Sequence, residues 1–305
     1  MQKDIKDNNI EFVPCNLCGA NIYQIVYEGI PDEKGSPIDK YKSSGNKISQ
    51  DRIVKCEKCN LVYVNPRLKP GVIVKGYSEG SDEVFVSQVN GREITFNKSL
   101  NFIEKFSKPG KILDIGTAGG SFLYVAKKRG WEVYGIEPNK WLCNWGKENY
   151  GIDIKPGTIF DYKYPNDFFD VVTLWDVLEH VPDPKKVLDE CNRILRSGGL
   201  LVVNYPDIDS LVARIMKKKW VFLLSVHLFY FTPDTISKIL SKTEFKIVKI
   251  KKHFQTLSLG YILFRMEPYI KSLSHIAENV ASALKLSNIQ IPYWMGQTLV
   301  LARKK

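Results

Sequence analysis

The sequence predicts an α/β protein whose core is a doubly wound parallel sheet, preceded by a small module. From Lys111 onward, short apolar segments alternate with helical patterns, the order typical of parallel strands joined by helices. Before that region lie two CxxC pairs and no comparable alternation. We therefore expect three regions: a cysteine-paired module over 1–80, a helical linker or lid over 81–110, and a main domain over 111–305 with insertions near 207–231 and 260–295.

The composition is that of a globular protein, with 44% apolar and 25% charged residues among 305. It excludes a mainly disordered chain, a collagen-like repeat and a coiled coil. Lysine and arginine outnumber the acidic residues by 44 to 33, and the net charge of +11 favours anionic partners. The longest apolar run, 221–231, is far shorter than the roughly 20 residues of a membrane span. The first ten residues lack the apolar core of a secretory signal, so we expect a cytoplasmic protein.

Four buried strands and the helices between them define the predicted main domain. Each strand is an apolar run of the kind that a parallel sheet covers on both faces; the four are KILDI, EVYGI, DVVTLW and LLVVNY. Helical spacing predicts helices over 122–129 and 184–195. Gly198 and Gly199, after a basic last turn, end the second helix.

The flanking regions carry weaker patterns. Apolar spacing predicts a helix over 94–106, and the polar segment 29–51 predicts a long loop or a short hairpin. Further patterns predict helices over 208–216, 235–240 and 260–286, and strands near 245–250 and 298–302. Loops on a rigid scaffold commonly carry function, so we expect the late insertions to determine substrate specificity.

The paired cysteines predict a metal site in the first module. Two CxxC pairs separated by 37 residues can direct four thiolates at one ion, and zinc prefers this closed sulfur shell in structural sites; the four are Cys15, Cys18, Cys56 and Cys59. The alternative is four thiols without a metal. Neither pair opens a helix after a strand, which disfavours a redox role. The intervening segment lacks a basic stripe with aromatic residues, so we interpret the ribbon as a structural or substrate-covering module.

A glycine-rich turn, GTAGGS over 116–121, follows the first buried strand. Small residues let the backbone pass close to a ligand. Glu137 ends the next strand, where an acid can accept hydrogen bonds from both ribose hydroxyls of a nucleoside. The lysine of a phosphate-binding loop is absent, and the turn does not read GxGxxG. Asp114, just before the turn, suits a cofactor that bears a positive amino group.

Several ordered segments carry a family resemblance. LDIGTAGGSFL, WEVYGIEP and FFDVVTLWDVLEHVPDPKKVLDECNRILRSGGLLVV resemble class I S-adenosylmethionine-dependent methyltransferases. CEKCNLVYVNPR and HLFYFTPDTISKIL resemble a ubiquinone-pathway-like subgroup that has an N-terminal cysteine ribbon. The match covers roughly 12–250. It implies a Rossmann-like, seven-stranded methyltransferase sheet with S-adenosylmethionine as the cofactor, beside a ribbon that holds structural Zn²⁺.

The resemblance also implies where the cofactor binds. The glycine-rich turn would hold the methionine part, and Glu137 the ribose. The residues after Gly157 would contact adenine, although threonine replaces the family's usual acid there. Alanine stands in the turn where the family commonly has glycine, and the end of the fourth strand would line the methyl-donor side. The implied cofactor residues are Asp114, Gly116, Ala118, Gly120, Glu137, Thr158, Ile159, Trp175 and Asp176.

Methyl transfer to a hydroxyl requires a positioned acceptor and a group that removes its proton. Histidine suits that role near neutral pH. We predict His180 and His227 as the candidate catalytic residues, because the first follows the fourth strand and the second lies in a segment expected to face the site. His180 has an alternative role as a brace for the cofactor loop. His253 and His275 are expected to be peripheral.

The acceptor class stays open. Ribbon-bearing relatives and the net charge favour an anionic small molecule, a nucleotide-linked sugar or glycan precursor. A quinone or lipid acceptor is the alternative, since the basic run 217–219 before the apolar run 221–224 suits peripheral membrane contact. A nucleic-acid methyltransferase is disfavoured, because Leu174-Trp175-Asp176 is not the Asn/Asp-Pro-Pro-aromatic loop that methylates base amines. The acids Asp114 and Glu137 disfavour a non-catalytic cofactor-binding protein.

Overall fold

The computed structural model describes residues 9–29 and 51–305, and at 84, 267–273, 275, 276 and 278 it describes the backbone alone. The loop or hairpin predicted over 29–51 therefore lies almost wholly outside the described residues. The strands are β1 (Ile10–Glu11), β2 (Tyr23–Tyr27), β3 (Ile53–Cys56), β4 (Val62–Val64), β5 (Arg67–Leu68), β6 (Lys111–Ile115), β7 (Glu132–Glu137), β8 (Ile154–Pro156), β9 (Phe169–Trp175), β10 (Leu195–Pro206), β11 (Phe229–Tyr230), β12 (Phe245–Lys252), β13 (Gln255–Ser258), β14 (Gln290–Tyr293) and β15 (Gln297–Lys304).

Helices connect these strands and cover the sheet. The α-helices are α1 (Pro70–Ser78), α2 (Glu83–Val86), α3 (Val89–Ile103), α4 (Ser121–Lys128), α5 (Lys140–Tyr150), α6 (Pro184–Ile194), α7 (Leu211–Met216), α8 (Pro233–Lys242) and α9 (Leu259–Ala283). Two single 3₁₀ turns cover Ile159–Asp161 and Lys217–Lys219. The helix predicted over 94–106 begins five residues earlier, because its first turn is polar and contains Gly91 and so lacks an apolar period.

The main sheet has the strand order β12-β15-β10-β9-β6-β7-β8. The strands from β6 to β10 are parallel, as predicted, and the predicted seven-stranded doubly wound fold is confirmed. The exception is β15, which is antiparallel to both of its neighbours. The segment from β13 to β14 starts where the edge strand β12 ends and leads into β15, which lies between β12 and β10.

Local sequence explains how helix α6 starts. The Asp183 carboxylate accepts a hydrogen bond from the Lys186 amide at 3.1 Å, and Pro184 occupies the first turn, where a missing N–H costs nothing. One face of the helix is buried, with Val187 and Leu188 in the core below the sheet. This cap fixes the chain four residues after Glu179 and three after His180, in the segment that follows β9.

The cysteine module shares a four-stranded sheet with a much later segment, in the order β11-β4-β3-β2. β11 pairs antiparallel with β4, so that Phe229 faces Tyr63 and Tyr230 faces Val62. The insertion predicted near 207–231 therefore packs on the N-terminal module. The predicted domain boundaries themselves stay a prediction.

A second insertion packs on helix α3. Its hairpin, β13 with β14, lies against this helix, where the Thr256 amide donates to the Thr95 hydroxyl at 2.8 Å. Gly91 allows the close approach, since a Cβ there would lie 2.3 Å from the Thr256 carbonyl oxygen. Among the described residues, no helix combines the length and apolar character that crossing a bilayer requires.

Candidate functional site

A large cleft opens at the carboxyl ends of the central strands, the position where open α/β sheets bind ligands. Its volume is about 1430 Å³, above the roughly 300–1,000 Å³ of a typical small-molecule pocket. The strands β6, β7 and β9 end at its floor, and the cysteine module, α1, α3 and α9 contribute its walls. The cleft has room for a cofactor and a second molecule.

The glycine-rich turn adopts a backbone that restricts its side chains. Gly116 has φ +67°, and a Cβ there would lie 2.6 Å from a methyl group of Val177. Ala118 also has a positive φ, +50°, a conformation that glycine adopts more easily. Gly120, a predicted cofactor residue near the end of the turn, packs against β8, since a Cβ there would lie 3.0 Å from a methyl carbon of Ile154. Gly116 and Ala118 line the cleft, whereas Gly120 is not among its lining residues.

Two buried carboxyl groups lie beneath this turn. Glu137 accepts hydrogen bonds from the Ala118 amide at 2.8 Å and from the Asn139 amide at 2.9 Å. Asp114 accepts one from the Thr173 hydroxyl at 2.6 Å. Burial raises the pKa of each to about 7. Both line the cleft, where a ligand's hydroxyl or ammonium group would stabilise their charged forms.

The other predicted cofactor residues lie around the same cleft. Thr158 and Ile159 follow β8 and line it on one side. Trp175 and Asp176 end β9; the Asp176 carboxylate accepts from the Asn204 amide at 2.6 Å and from the Gln255 amide at 2.9 Å. Burial raises the pKa of Asp176 to about 6.

Two lining residues were missed or misjudged from the sequence. His253 was expected to be peripheral, and this is wrong: it is buried in the cleft, its ring 5.5 Å from that of Trp175. Arg92 was not predicted. Its guanidinium carbon lies 3.6 Å from the ring centre of Phe85, and its buried Nε has no hydrogen-bond partner among the described residues. No sequence motif marks either residue, because each reaches the cleft only through packing of an insertion or a helix.

His180 and His227 meet deep in the cleft, their ring centres 4.6 Å apart. His180 Nδ1 lies 2.7 Å from the Tyr77 hydroxyl and 3.1 Å from the Val226 carbonyl oxygen. His227 Nδ1 lies 2.8 Å from the Phe222 carbonyl oxygen, which makes Nδ1 the donor and leaves Nε2 with its lone pair. Burial lowers the pKa of His180 to about 4 and that of His227 as well, so both rings are neutral at pH 7.

Glu179 completes this group. One carboxylate oxygen and one nitrogen of each imidazole lie within 4.8 Å of one another. Both Glu179 oxygens are buried without a partner among the described residues, and burial raises the pKa of its carboxyl group. The three side chains can share a proton, and their donor atoms are also of the kinds that bind a divalent cation.

The four cysteines of the module converge as predicted. Cys15 Sγ lies 3.4 Å from Cys59 Sγ, and Cys18 Sγ lies 3.5 Å from Cys56 Sγ. Four thiolates about 2.3 Å from one zinc ion would lie roughly 3.8 Å apart, close to these separations. All four sulfurs lie within 4.8 Å of one another, so the donor set fits a tetrahedral structural ion.

Comparison with known proteins agrees with this geometry. Relatives named ubiquinone biosynthesis O-methyltransferase, from Actinobacillus pleuropneumoniae and Hahella chejuensis, are each 34% identical, over 30% and 33% of this chain. The chain spans less than half of their length, 43% and 45%. A crystal structure of an S-adenosylmethionine-dependent methyltransferase from Archaeoglobus fulgidus shares the fold, with a TM-score of 0.52 and 20% identity over 73% of this chain and 100% of that one.

The family itself is assigned by a longer match. The family model described as a methyltransferase domain covers residues 90–250, just over half of the chain. That span begins in α3 and ends in β12, and it includes the glycine-rich turn, the two buried carboxyl groups and both clustered histidines. The chain therefore belongs to the methyltransferase domain family.

Proposed function

We propose that the protein is an S-adenosylmethionine-dependent methyltransferase that methylates a hydroxyl group of an anionic small molecule, such as a nucleotide-linked sugar or glycan precursor. One observation carries the proposal: the buried acids Asp114 and Glu137 face the same cleft as the neutral His180–His227 pair. The acids provide a nucleoside site, and the histidines provide a proton acceptor next to it. Relatives named as O-methyltransferases support oxygen as the methylated atom.

The cofactor would bind along the carboxyl ends of β6, β7 and β8. Glu137 would accept hydrogen bonds from the ribose hydroxyls, and Asp114 would face the amino group of the methionine part. Gly116 has no side chain and Ala118 a small one, so the cofactor can approach the backbone of the turn closely. Thr158 and Ile159 would contact adenine. Bound S-adenosylmethionine supplies a methyl carbon on a positively charged sulfur, which leaves as a neutral thioether.

We assign removal of the acceptor's hydroxyl proton to His227. Its Nδ1 donates to the Phe222 carbonyl, so its Nε2 can accept the hydroxyl proton while the acceptor oxygen bonds to the methyl carbon. Glu179 and His180 lie beside it and can receive or stabilise that proton. Trp175 and Asp176 would line the methyl-donor side, where Asp176 is held by its two amide donors.

Cationic side chains support an anionic acceptor. Arg67, Arg92, Lys186 and Arg265 line the cleft. Arg92 and Arg265 form no ion pair with any carboxylate in the part of the chain that the structure describes. A guanidinium group that has no ion pair among the described residues can bind a carboxylate or phosphate group, which supports an anionic ligand in this cleft.

The test is transfer of a labelled methyl group. Wild-type protein, His227→Gln and Glu137→Gln are incubated with methyl-labelled S-adenosylmethionine and cell extract, and the label is partitioned into aqueous small molecules, lipid and nucleic acid. We expect wild-type label in the aqueous fraction. The His227 variant should retain cofactor affinity and lose about 10²–10⁴-fold in rate. Label in nucleic acid, or an unchanged rate for the His227 variant, would contradict the proposal.

A lipid or quinone acceptor is the second candidate, and one surface favours it. Leu211 and Ile215 on α7 are 69% and 70% exposed, and the lysines at 217–219 follow them. An apolar face beside a basic run binds anionic membranes. Cosedimentation with vesicles containing anionic lipid, lost when the three lysines are changed to glutamate, together with label in lipid would support this candidate over the first.

We infer that the cysteine cluster holds one structural Zn²⁺. The support is the closed set of four sulfurs, which leaves no position for a catalytic water. The ion would stabilise the module that forms one wall of the cleft, and no chemical step is assigned to it.

A further inference from the structure

We infer that the four-cysteine module positions both histidines of the cleft, with Asn16 as the positioning residue that links the first cysteine pair to the segment of His180. The inference rests on the proposed function for the role of His180 and His227. The connections themselves are two sets of hydrogen bonds, one to each histidine's segment.

The first set reaches the segment that carries His180. Asn16 lies between Cys15 and Cys18, so metal binding by the pair fixes its backbone. Its side-chain NH₂ donates to the Asp183 carboxylate at 2.8 Å, and its side-chain oxygen accepts from the Lys185 amide at 3.1 Å. Asn16 thus extends the N-terminal cap of α6, which begins four residues after His180.

A second contact holds the same segment. The Arg67 guanidinium donates to the Pro182 carbonyl oxygen at 2.7 Å and pairs with Glu11 at 3.0 Å. Arg67 is in β5, which pairs with β1 of the same module. Pro182, two residues after His180, and the helix cap at Asp183 are therefore both hydrogen-bonded to the module.

The other set reaches His227. β4 follows the second cysteine pair, and the Val64 amide donates to the Leu228 carbonyl oxygen at 2.9 Å. The Leu228 and Phe229 amides in turn donate to the Glu179 carbonyl oxygen at 2.8 and 3.1 Å. The strand of the module thus holds the residue after His227, and that residue holds the residue before His180.

His253 provides an internal reference. It lines the same cleft, but its amide donates to the Gln297 carbonyl oxygen at 3.0 Å, in strand β15 of the main sheet. Among the described residues, no hydrogen bond connects His253 to the module. A change in the module should therefore move His180 and His227 and leave His253 in place.

Asparagine is required at position 16 for a chemical reason. Its side chain must donate to a carboxylate and accept from an amide at once, which an amide does and a carboxylate does not. Alanine at this position loses both hydrogen bonds. Aspartate keeps the acceptor but sets a second negative charge against Asp183.

The experiment is imidazole NMR of the full, zinc-loaded chain labelled at histidine, which has only four such residues. Signals are assigned with single histidine substitutions. In Asn16→Ala we expect the His180 signal to shift, and the His227 signal with it because the two rings are in contact at 4.6 Å, while the His253 signal stays. The matched control is Asn192→Ala on the same helix α6, where the amide donates to the exposed Glu244 carbonyl at 3.3 Å; it should move none of them. S-adenosylhomocysteine affinity, measured in each sample, should change less than about twofold, because no cofactor residue is touched.

Several results would overturn the inference. Unchanged His180 and His227 signals in Asn16→Ala would remove it, and so would an equal shift of His253. If Asn16→Ala does not fold, Arg67→Gln tests the module's hold on the His180 segment through Pro182. Should the wild-type protein fail to bind S-adenosylhomocysteine, the proposed function fails, while the NMR comparison still decides whether the module positions the histidines.

Discussion

We expect two buried carboxyl groups to make cofactor binding depend on pH. The pKa of Asp114 and that of Glu137 are each raised to about 7 by burial, so the folded protein holds protons that the unfolded chain has lost above about pH 4. The free energy of unfolding contributed by these groups therefore falls as pH rises from about 4 to 7. We expect affinity for a cationic cofactor to change in the opposite direction, because ionised carboxylates would bind it better.

We expect S-adenosylmethionine affinity to increase by up to about tenfold for each carboxyl group between pH 6 and pH 8. Calorimetric titrations at the two pH values measure this increase. Glu137→Gln should weaken binding at pH 8 by about 10–100-fold, since a charge-assisted hydrogen bond contributes about 1.5–3 kcal/mol, and it should also flatten the pH dependence. Glu132→Gln at the exposed start of the same strand is the control; equal losses in both variants would contradict the assignment.

Ala118 holds a backbone conformation that costs free energy. At φ +50° its Cβ crowds the backbone, at about 1–2 kcal/mol relative to glycine. Ala118→Gly should therefore raise the free energy of unfolding by about 0.5–1 kcal/mol, after allowance for the greater freedom of glycine in the unfolded chain. Urea unfolding measures this change. Ala126→Gly, inside helix α4, should instead lower it by about 1 kcal/mol or more; a loss of stability in both variants would count against a left-handed Ala118.

At the scale of elements, helix α5 packs directly on the glycine-rich turn through Gly146. A Cβ at Gly146 would lie 2.9 Å from the Gly119 carbonyl oxygen and 2.6 Å from a methyl carbon of Ile154. Glycine to alanine inside a helix ordinarily stabilises by about 1 kcal/mol. Here the steric clash outweighs that gain. We expect Gly146→Ala to lower the free energy of unfolding by about 1–3 kcal/mol and to weaken cofactor binding because the turn is displaced.

Thermal unfolding and cofactor titration together test this prediction. Gly71→Ala in α1 is the matched control, because a Cβ there meets nothing within 4 Å and should be tolerated. A stabilised Gly146→Ala variant with normal cofactor affinity would show that the helix does not constrain the turn.

Strand identity was predictable from local pattern, whereas pairing was not. The apolar runs that form β6, β7, β9 and β10 can be recognised as strands from the sequence, since a strand covered on both faces is apolar throughout. β11 is only two residues long, and its partner β4 lies about 165 positions earlier. Nothing local in Phe229–Tyr230 distinguishes it from the apolar segment around it, so its place beside the cysteine module required the tertiary structure.

For the whole molecule, the cysteine cluster predicts a metal-dependent fold. We expect one zinc per chain by elemental analysis. Cys56→Ser should lose the metal and lower the free energy of unfolding by several kcal/mol, because structural zinc contributes about 10–16 kcal/mol of apparent binding energy in zinc-finger peptides. Cys143→Ser, a buried cysteine outside the cluster, should keep full metal content. Stoichiometric zinc in Cys56→Ser would contradict the assignment of the site.

Sequence alone determined the sheet, the glycine-rich turn with its two acids, the paired cysteines and the candidacy of His180 and His227. Each of these features is a run, a spacing or a motif, and even the two cysteine pairs are separated by only 37 residues. The tertiary structure decided what such patterns do not encode, namely the contact between the two histidines, the burial of Arg92 and His253 in the cleft, and the attachment of the cysteine module to both histidine segments. Most of these contacts join residues far apart in the chain, where packing rather than periodicity selects the partner: His180 and His227 are 47 positions apart, and Asn16 and Asp183 are 167 apart.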